Sequence, residues 1–309
     1  MIEILIGIFS TTIRLAIPVL FVALGEIFVQ RSGMLNLGLE GLMLIGASCG
    51  FTVTFLTGNP LLGILSAMLL GGLVCLLMGY FSITLGVNQI IAGIAIWILG
   101  MGLSSFMYRI YVLPGLEVFP TITPLPPVEI PVLSQIPALG EILFKHNILV
   151  YFALLLVPLS IMILFRTTIG LKITAVGENP RAADSVGINV HRIRYLCIII
   201  GGVMAGLGGA YLTVADLGAF MEGMVAGRGW IAFALIAFGM WNPLLILVGC
   251  LIFGGAQAFQ FRLQAMGVGI PYFALLIMPY VVILTTLVLM AKIKKRAPPA
   301  AMTLPYKRE

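Results

Sequence analysis

Charged residues are scarce in this sequence: 9% of its 309 residues are Asp, Glu, Lys or Arg, against about 25% in an ordinary soluble domain. Hydrophobic residues make up 61%, more apolar surface than one globule can hide. A soluble domain pair, a disordered chain, a coiled coil and a nucleic-acid-binding domain are thereby excluded. Cysteine is also rare. Cys49, Cys75, Cys197 and Cys250 sit singly in apolar runs with no Cys-x-x-Cys pair, so they read as small hydrophobes. His146 and His191 have no second ligand at metal spacing. The sequence has no His-Glu-x-x-His motif, no paired mid-span Asp and no Ser/His pair within a span, which argues against an intramembrane enzyme. It also lacks a Gly-x-x-x-x-Gly-Lys-Ser/Thr nucleotide loop, so ATP would have to be hydrolysed on another chain. Met1-Ile2-Glu3 brings no basic n-region and the run after it no small-residue cleavage site. The first run is therefore expected to be a retained span and not a signal peptide.

What the chain has is apolar length. Its mean hydropathy is +1.16, and its 36 glycines are at the level of packed transmembrane helices. A spanning helix needs about 20 mostly apolar residues. Runs that qualify lie near 4–29, 37–57, 60–80, 83–107, 147–165, 195–214, 243–261 and 270–291. The run 229–240 is short, but Trp241-Asn242-Pro243 separates it from the next. Read as a short or tilted helix starting near Met224, it brings the expectation to about nine spans, within 8–10. The fold class is an all-α polytopic membrane protein.

The few charges set its orientation. Arg166, Lys172, Arg181, Arg192 and Arg194 crowd the loop 166–194, and Lys292, Lys294, Lys295, Arg296, Lys307 and Arg308 the tail 292–309. With both inside, the short loop carrying Arg31 also falls inside, and the N-terminus and the segment 108–146 fall outside. Twelve of the seventeen Lys and Arg then face the cytoplasm, as the positive-inside rule asks. The segment 108–146 carries prolines from Pro114 to Pro137 and cannot be one helix; it is expected to form a structured external cap.

An internal repeat is also legible. Gly58-Asn59-Pro60-Leu61-Leu62 matches Trp241-Asn242-Pro243-Leu244-Leu245 at an offset of 183, and Gly71-Gly72 matches Gly254-Gly255 at the same offset. Glu40-Gly41 matches Glu222-Gly223 at 182. The copies cover about 11–107 and 195–291, on either side of the external segment 108–146, the span 147–165 and the cytoplasmic loop 166–194. All belong to a single transmembrane domain over 1–309. Five spans separate equivalent points, an odd number, so the repeats are inverted. That is a transporter architecture, with a pathway where the halves meet.

The internal loop is the most informative stretch. Asn179 reads as a helix cap, Pro180 as the first helical position, 181–186 as a short helix and Gly187 as its stop. Such a helix, with alanines on one side, suits the groove of another protein or is an ordinary capped loop. The run resembles the coupling loop of bacterial ABC-importer permeases of the ribose, branched-chain amino acid and nucleoside group. Their Gly-x-Asn-Pro-x-Ala-Ala-x-x-x-Gly-Ile falls here on Gly177, Asn179, Pro180, Ala182, Ala183, Gly187 and Ile188, with Glu178 and Arg181 between. Three further stretches, 31–41, 226–232 and 253–258, resemble the nucleoside and simple-sugar branch; ribose-type members carry Asp-Leu-Ser where this chain has Asn36-Leu37-Gly38.

The resemblance covers nearly the whole chain and implies a type II ABC-importer permease. Such a chain does no chemistry and binds no cofactor. It forms half of a membrane dimer with a second permease, identical or paralogous, in the bacterial cytoplasmic membrane. A cytoplasmic ABC ATPase docks on the coupling loop, where Ala183→Arg is expected to block docking, and an extracytoplasmic solute-binding protein delivers cargo. The implied cargo is a nucleoside, with a simple sugar such as ribose as the alternative. An ion-coupled secondary transporter using Glu26 or Glu40 is the rival from another class.

Polar side chains in spans are costly and face a cavity or another helix. Asn36, Glu40, Asn88, Gln89, Gln257 and Gln260 are the candidate pathway residues, either touching solute or joining helices. Trp97, Phe259 and Tyr272 either stack on a base or mark the membrane edge. Gly202, Ala205, Gly206 and Gly209 form small-residue rows that should let span six pack closely on a neighbour.

Overall fold

Asparagine marks six of the twelve α-helix starts among the described residues. The side chains of Asn59, Asn88, Asn147, Asn179, Asn189 and Asn242 each accept a backbone N–H from the first turn they precede. Three of these turns place proline in the first helical position, where no N–H is needed. In the computed structural model, which describes all residues except 1, 115–117, 132, 268, 294–296, 305 and 307–309, the resulting helices follow the apolar runs. They are α1 (Ile2–Arg31), α2 (Leu39–Thr57), α3 (Pro60–Gly79), α4 (Gln89–Tyr111), α5 (Leu139–Leu143), α6 (Ile148–Arg166), α7 (Thr168–Glu178), α8 (Pro180–Ser185), α9 (Val190–Ala210), α10 (Arg228–Phe238), α11 (Pro243–Ala265) and α12 (Tyr272–Ile293). The basic residues Lys294, Lys295, Arg296, Lys307 and Arg308, and Glu117 of the segment 108–146, lie outside the described residues.

Among the described residues, eight helices are long and apolar enough to cross a membrane. The ninth expected run is half-length: α10 has 11 residues and reaches only about 16 Å at 1.5 Å per residue. It starts at Arg228 and not near Met224, because Gly223, Ala226 and Gly227 all take positive φ and break the chain into turns. Two other boundaries also move. α4 begins at Gln89 instead of 83, since π-helical turns over Tyr80–Thr84 prolong α3. α9 begins at Val190 and continues as a π-helix over Tyr211–Leu217.

The core is built around α9, which packs against α1, α2 and α3. Its small-residue row therefore serves three neighbours. A Cβ on Gly46 of α2 would lie 2.6 Å from the Gly206 Cα, one on Gly71 of α3 would lie 3.0 Å from it, and one on Gly25 of α1 3.2 Å from the Gly201 Cα. Lipid offers apolar side chains no hydrophobic advantage, so such close backbone approach supplies the packing. α3 rests on α9 and α11 rests on α1. α3 and α11 start at Pro60 and Pro243, and α4 and α12 at Gln89 and Tyr272, the same 183-residue step.

The segment between α4 and α6 carries a two-stranded antiparallel ladder, β1 (Val128–Glu129) on β2 (Lys145–His146). It is fastened to the far end of α9 by Ile122 N–H to Gly218 O, 2.8 Å, and Leu125 N–H to Val214 O, 3.0 Å.

Candidate functional site

The string Gly177–Ile188 falls on a helix pair, α7 and α8. α7 was not expected from the sequence; Thr167 caps it, and its buried face is Gly170, Ile173, Val176 and Gly177. The Asn179 side chain then accepts from Ala182 N–H at 3.1 Å and opens α8. Gly187, at φ +85, ends it; Gly187 N–H and Ile188 N–H return to Asp184 and Ala183 carbonyls at 2.9 and 3.0 Å. The two alanines do not share an outward face. Ala183 is 3% exposed and packs with Val176 and Val190, beside Ile188, whereas Ala182, Arg181 and Ser185 are exposed and Val186 is 74% exposed. Ala183→Arg would therefore unseat α8 itself, and the outward apolar group is Val186.

Behind this pair, residues 32–38 are non-helical yet almost wholly buried. Irregular backbone at membrane depth persists only where protein buries it or it lines a cavity, and its amides need partners. Asn36 N–H donates to Glu26 Oε1 at 3.2 Å, and Leu35 N–H to Gln89 Oε1 at 2.7 Å. Asn36 Oδ1 accepts from Gly38 N–H at 2.8 Å. Gln30 joins Glu26 to Trp241, and Arg31 donates to the Trp241 carbonyl. Asn36 and Gln89 thus come together with Glu26 in one buried network. Asn88 is the exposed cap of α4, accepting from Ile90 and Ile91 N–H.

Glu40, in the first turn of α2, reaches across to the start of α10. Its Oε1 accepts from Gly227 N–H at 2.7 Å and its Oε2 from Gly229 N–H at 2.8 Å. A carboxylate on orphan amides at a helix N-terminus satisfies both hydrogen bonding and the dipole. Tyr280 of α12 donates to the Ala226 carbonyl, and Arg228 to those of Met224 and Val225. Trp230 meets Trp97 edge to face, 5.3 Å between ring centroids at 87°.

Residues 8–291 match the family described as branched-chain amino acid transport system / permease component. The chain belongs to this permease family. It is 36% identical to the guanosine ABC transporter permease protein NupQ of Bacillus subtilis over 99% of this chain and 98% of that one. It is 35% identical to the nucleoside ABC transporter permease protein NupC of Lactococcus lactis over 77% and 76%. TsgC13 of Haloferax volcanii, provisionally named a glucose ABC transporter permease, is 40% identical over 85% and 80%. No solved structure matches the chain. The protein is a multi-pass membrane component of an ABC transporter, a conduit and not an enzyme.

In this permease, Gln257 and Gln260 are buried on α11 but share no hydrogen bond with the Glu26–Asn36–Gln89 network among the described residues. Cavities of about 520 and 320 Å³ open beside the first half of α1, the first lined by Arg14 and Arg262, the second by Arg14, Lys145, His146 and Asp216. Neither includes any of the six candidate pathway residues. Glu222, which the sequence aligned with Glu40 at an offset of 182, is exposed and takes two bonds from Arg109, at 2.8 and 3.2 Å; the guanidinium holds its carboxyl below the usual range. The sequence reading missed Arg228 and Trp230 as site residues. A charged residue opening an apolar run was the available signal.

Proposed function

We propose that this permease forms half of the pathway of an ATP-driven nucleoside importer in a bacterial cytoplasmic membrane, with residues after α12 inside and the start of α1 outside. Similarity to the guanosine permease NupQ across 99% of the chain carries this reading. An ABC ATPase docks on α7–α8, with Val186, Arg181 and Ala182 on the contact face and Gly177, Glu178, Asn179, Pro180, Ala183, Gly187 and Ile188 shaping the helix pair behind it. A second permease completes the dimer, and an external binding protein delivers solute. The halves over about 11–107 and 195–291 act as inverted repeats that rock against each other. The crossed packing of α3 on α9 and α11 on α1 supports that pairing.

Within the pathway, Glu40 holds α10 in place, and Asn36 and Gln89 hold the buried bend 32–38. Trp97 lies eight residues, about 12 Å, into α4, away from the aromatic belt at the membrane edge. Both Trp97 and Trp230 are half-buried, so their rings are the stacking surface for a base. A sugar cargo is the second reading, favoured by the 40% identity to TsgC13. Uptake by proteoliposomes carrying the complete complex decides between them. Labelled guanosine taken up and competed by other nucleosides is expected; uptake competed by glucose and not by nucleosides would overturn the nucleoside assignment.

A further inference from the structure

Residues 297–304 and Tyr306, beyond α12, do not trail away from the bundle. Ala301 is 3% exposed, and its N–H donates to the Gly177 carbonyl at 2.9 Å. Thr303 N–H donates to the Gly33 carbonyl at 3.3 Å, and Ala300 N–H to Glu178 Oε2 at 3.4 Å. Arg194, 1% exposed, donates from Nη1 to the Leu304 carbonyl at 3.4 Å, and Tyr306 lies against His191 with ring centroids 5.7 Å apart.

Three backbones converge here. A Cβ on Gly33 would stand 3.2 Å from the Ala301 carbonyl oxygen and 3.3 Å from the Gly177 Cα. Gly33 also holds φ +79, so glycine is required there on two counts. The sequence fits a fixed segment better than a solvated basic tail: 297–306 has no charge and contains Pro298, Pro299 and Pro305, which limit its freedom before it docks.

We infer that residues 297–304, with Tyr306, are a positioning strap. They tie the end of α7, immediately before the docking helix α8, to Gly33, where the buried bend 32–38 begins. That bend is bonded through Leu35 and Asn36 to Gln89 and Glu26. The strap makes α8 and the bend move together, so displacement of α8 reaches the pathway. The inference rests on the reading of α7–α8 as the ATPase dock.

The test uses the full complex in proteoliposomes and measures uptake per ATP hydrolysed for wild type, a chain ending at Ala297, a chain ending at Tyr306 and Ala301→Pro, which removes the N–H that donates to Gly177 and leaves the rest of the segment in the chain. The chain ending at Tyr306 should match wild type. The chain ending at Ala297 should still bind the ATPase but lose about tenfold in uptake per ATP, the factor expected when one or two net hydrogen bonds leave the coupled state. Ala301→Pro should fall part of the way, and it decides the matter if the shorter chain fails to accumulate. An unchanged ratio in either variant overturns the strap, as does loss of ATPase binding by an inserted chain, which would make the segment part of the dock. ATP-independent uptake by wild type would instead overturn the underlying reading and leave these contacts unexplained by it.

Discussion

Glu40 offers a graded perturbation. Its two oxygens accept from two different amides, Gly227 N–H at 2.7 Å and Gly229 N–H at 2.8 Å, and the residue is 7% exposed. Glu40→Gln keeps one acceptor and turns an amide N–H₂ toward the other donor, so one bond survives. Glu40→Ala orphans both donors. Leaving a buried donor unpaired costs about 1–3 kcal/mol, whereas interhelical bonds in membranes average about 0.6 kcal/mol in double-mutant cycles. The alanine variant should therefore lose between about 1 and 6 kcal/mol and the glutamine variant about half as much. α10 has only 11 residues and depends on this anchor, so uptake should fall with stability. The assay is apparent melting of the purified permease in detergent, paired with uptake. The order wild type, Gln, Ala is expected in both. Unchanged melting in both variants with uptake abolished would refute the anchoring role and make Glu40 a solute contact.

Val186→Glu, at an outward position on the proposed dock, should leave the permease folded and reduce ATPase co-purification about tenfold, within the range of an interface hot spot; normal co-purification would move the dock elsewhere. Trp230→Ala should raise KM for a nucleoside roughly 5- to 150-fold, since base–aromatic stacking is worth about 1–3 kcal/mol, with Trp230→Phe retaining most of the affinity; equal KM for all three removes the pair from the pathway. Gly206→Val should prevent accumulation or lower melting sharply, because overpacking costs about 1–3 kcal/mol and Gly206 meets α2 and α3 at once. Wild-type melting there would contradict the central place of α9.

Helix existence and many helix starts were legible because Asn-Pro and apolar length act locally. Asn59-Pro60, Asn179-Pro180 and Asn242-Pro243 open helices where they stand. Features that depend on partners distant in sequence were not legible. Leu37 and Gly38 counted with the span 37–57, yet they belong to the bend 32–38, whose amides at Asn36 and Leu35 are answered by Glu26 and Gln89. α7 hides between Gly170 and Gly177, which look like breakers but are the points of closest approach to α6 and to Arg31. Arg194 counted as one more cytoplasmic charge and is buried under Leu304. Ala182 and Ala183 are chemically alike, and only packing against Val176 and Val190 tells the inner from the outer. The Gly-x-Asn-Pro string was thus readable as a motif, while which of its side chains face outward was not.

The most direct measurement is uptake of labelled guanosine into proteoliposomes containing this permease, its partner permease, the binding protein and the ATPase, with and without ATP. Uptake that requires both ATP and the ATPase, and that ceases when the ATPase is omitted, is the predicted result. Uptake by the permease chains alone, driven by a proton or sodium gradient and indifferent to ATP, would contradict the account.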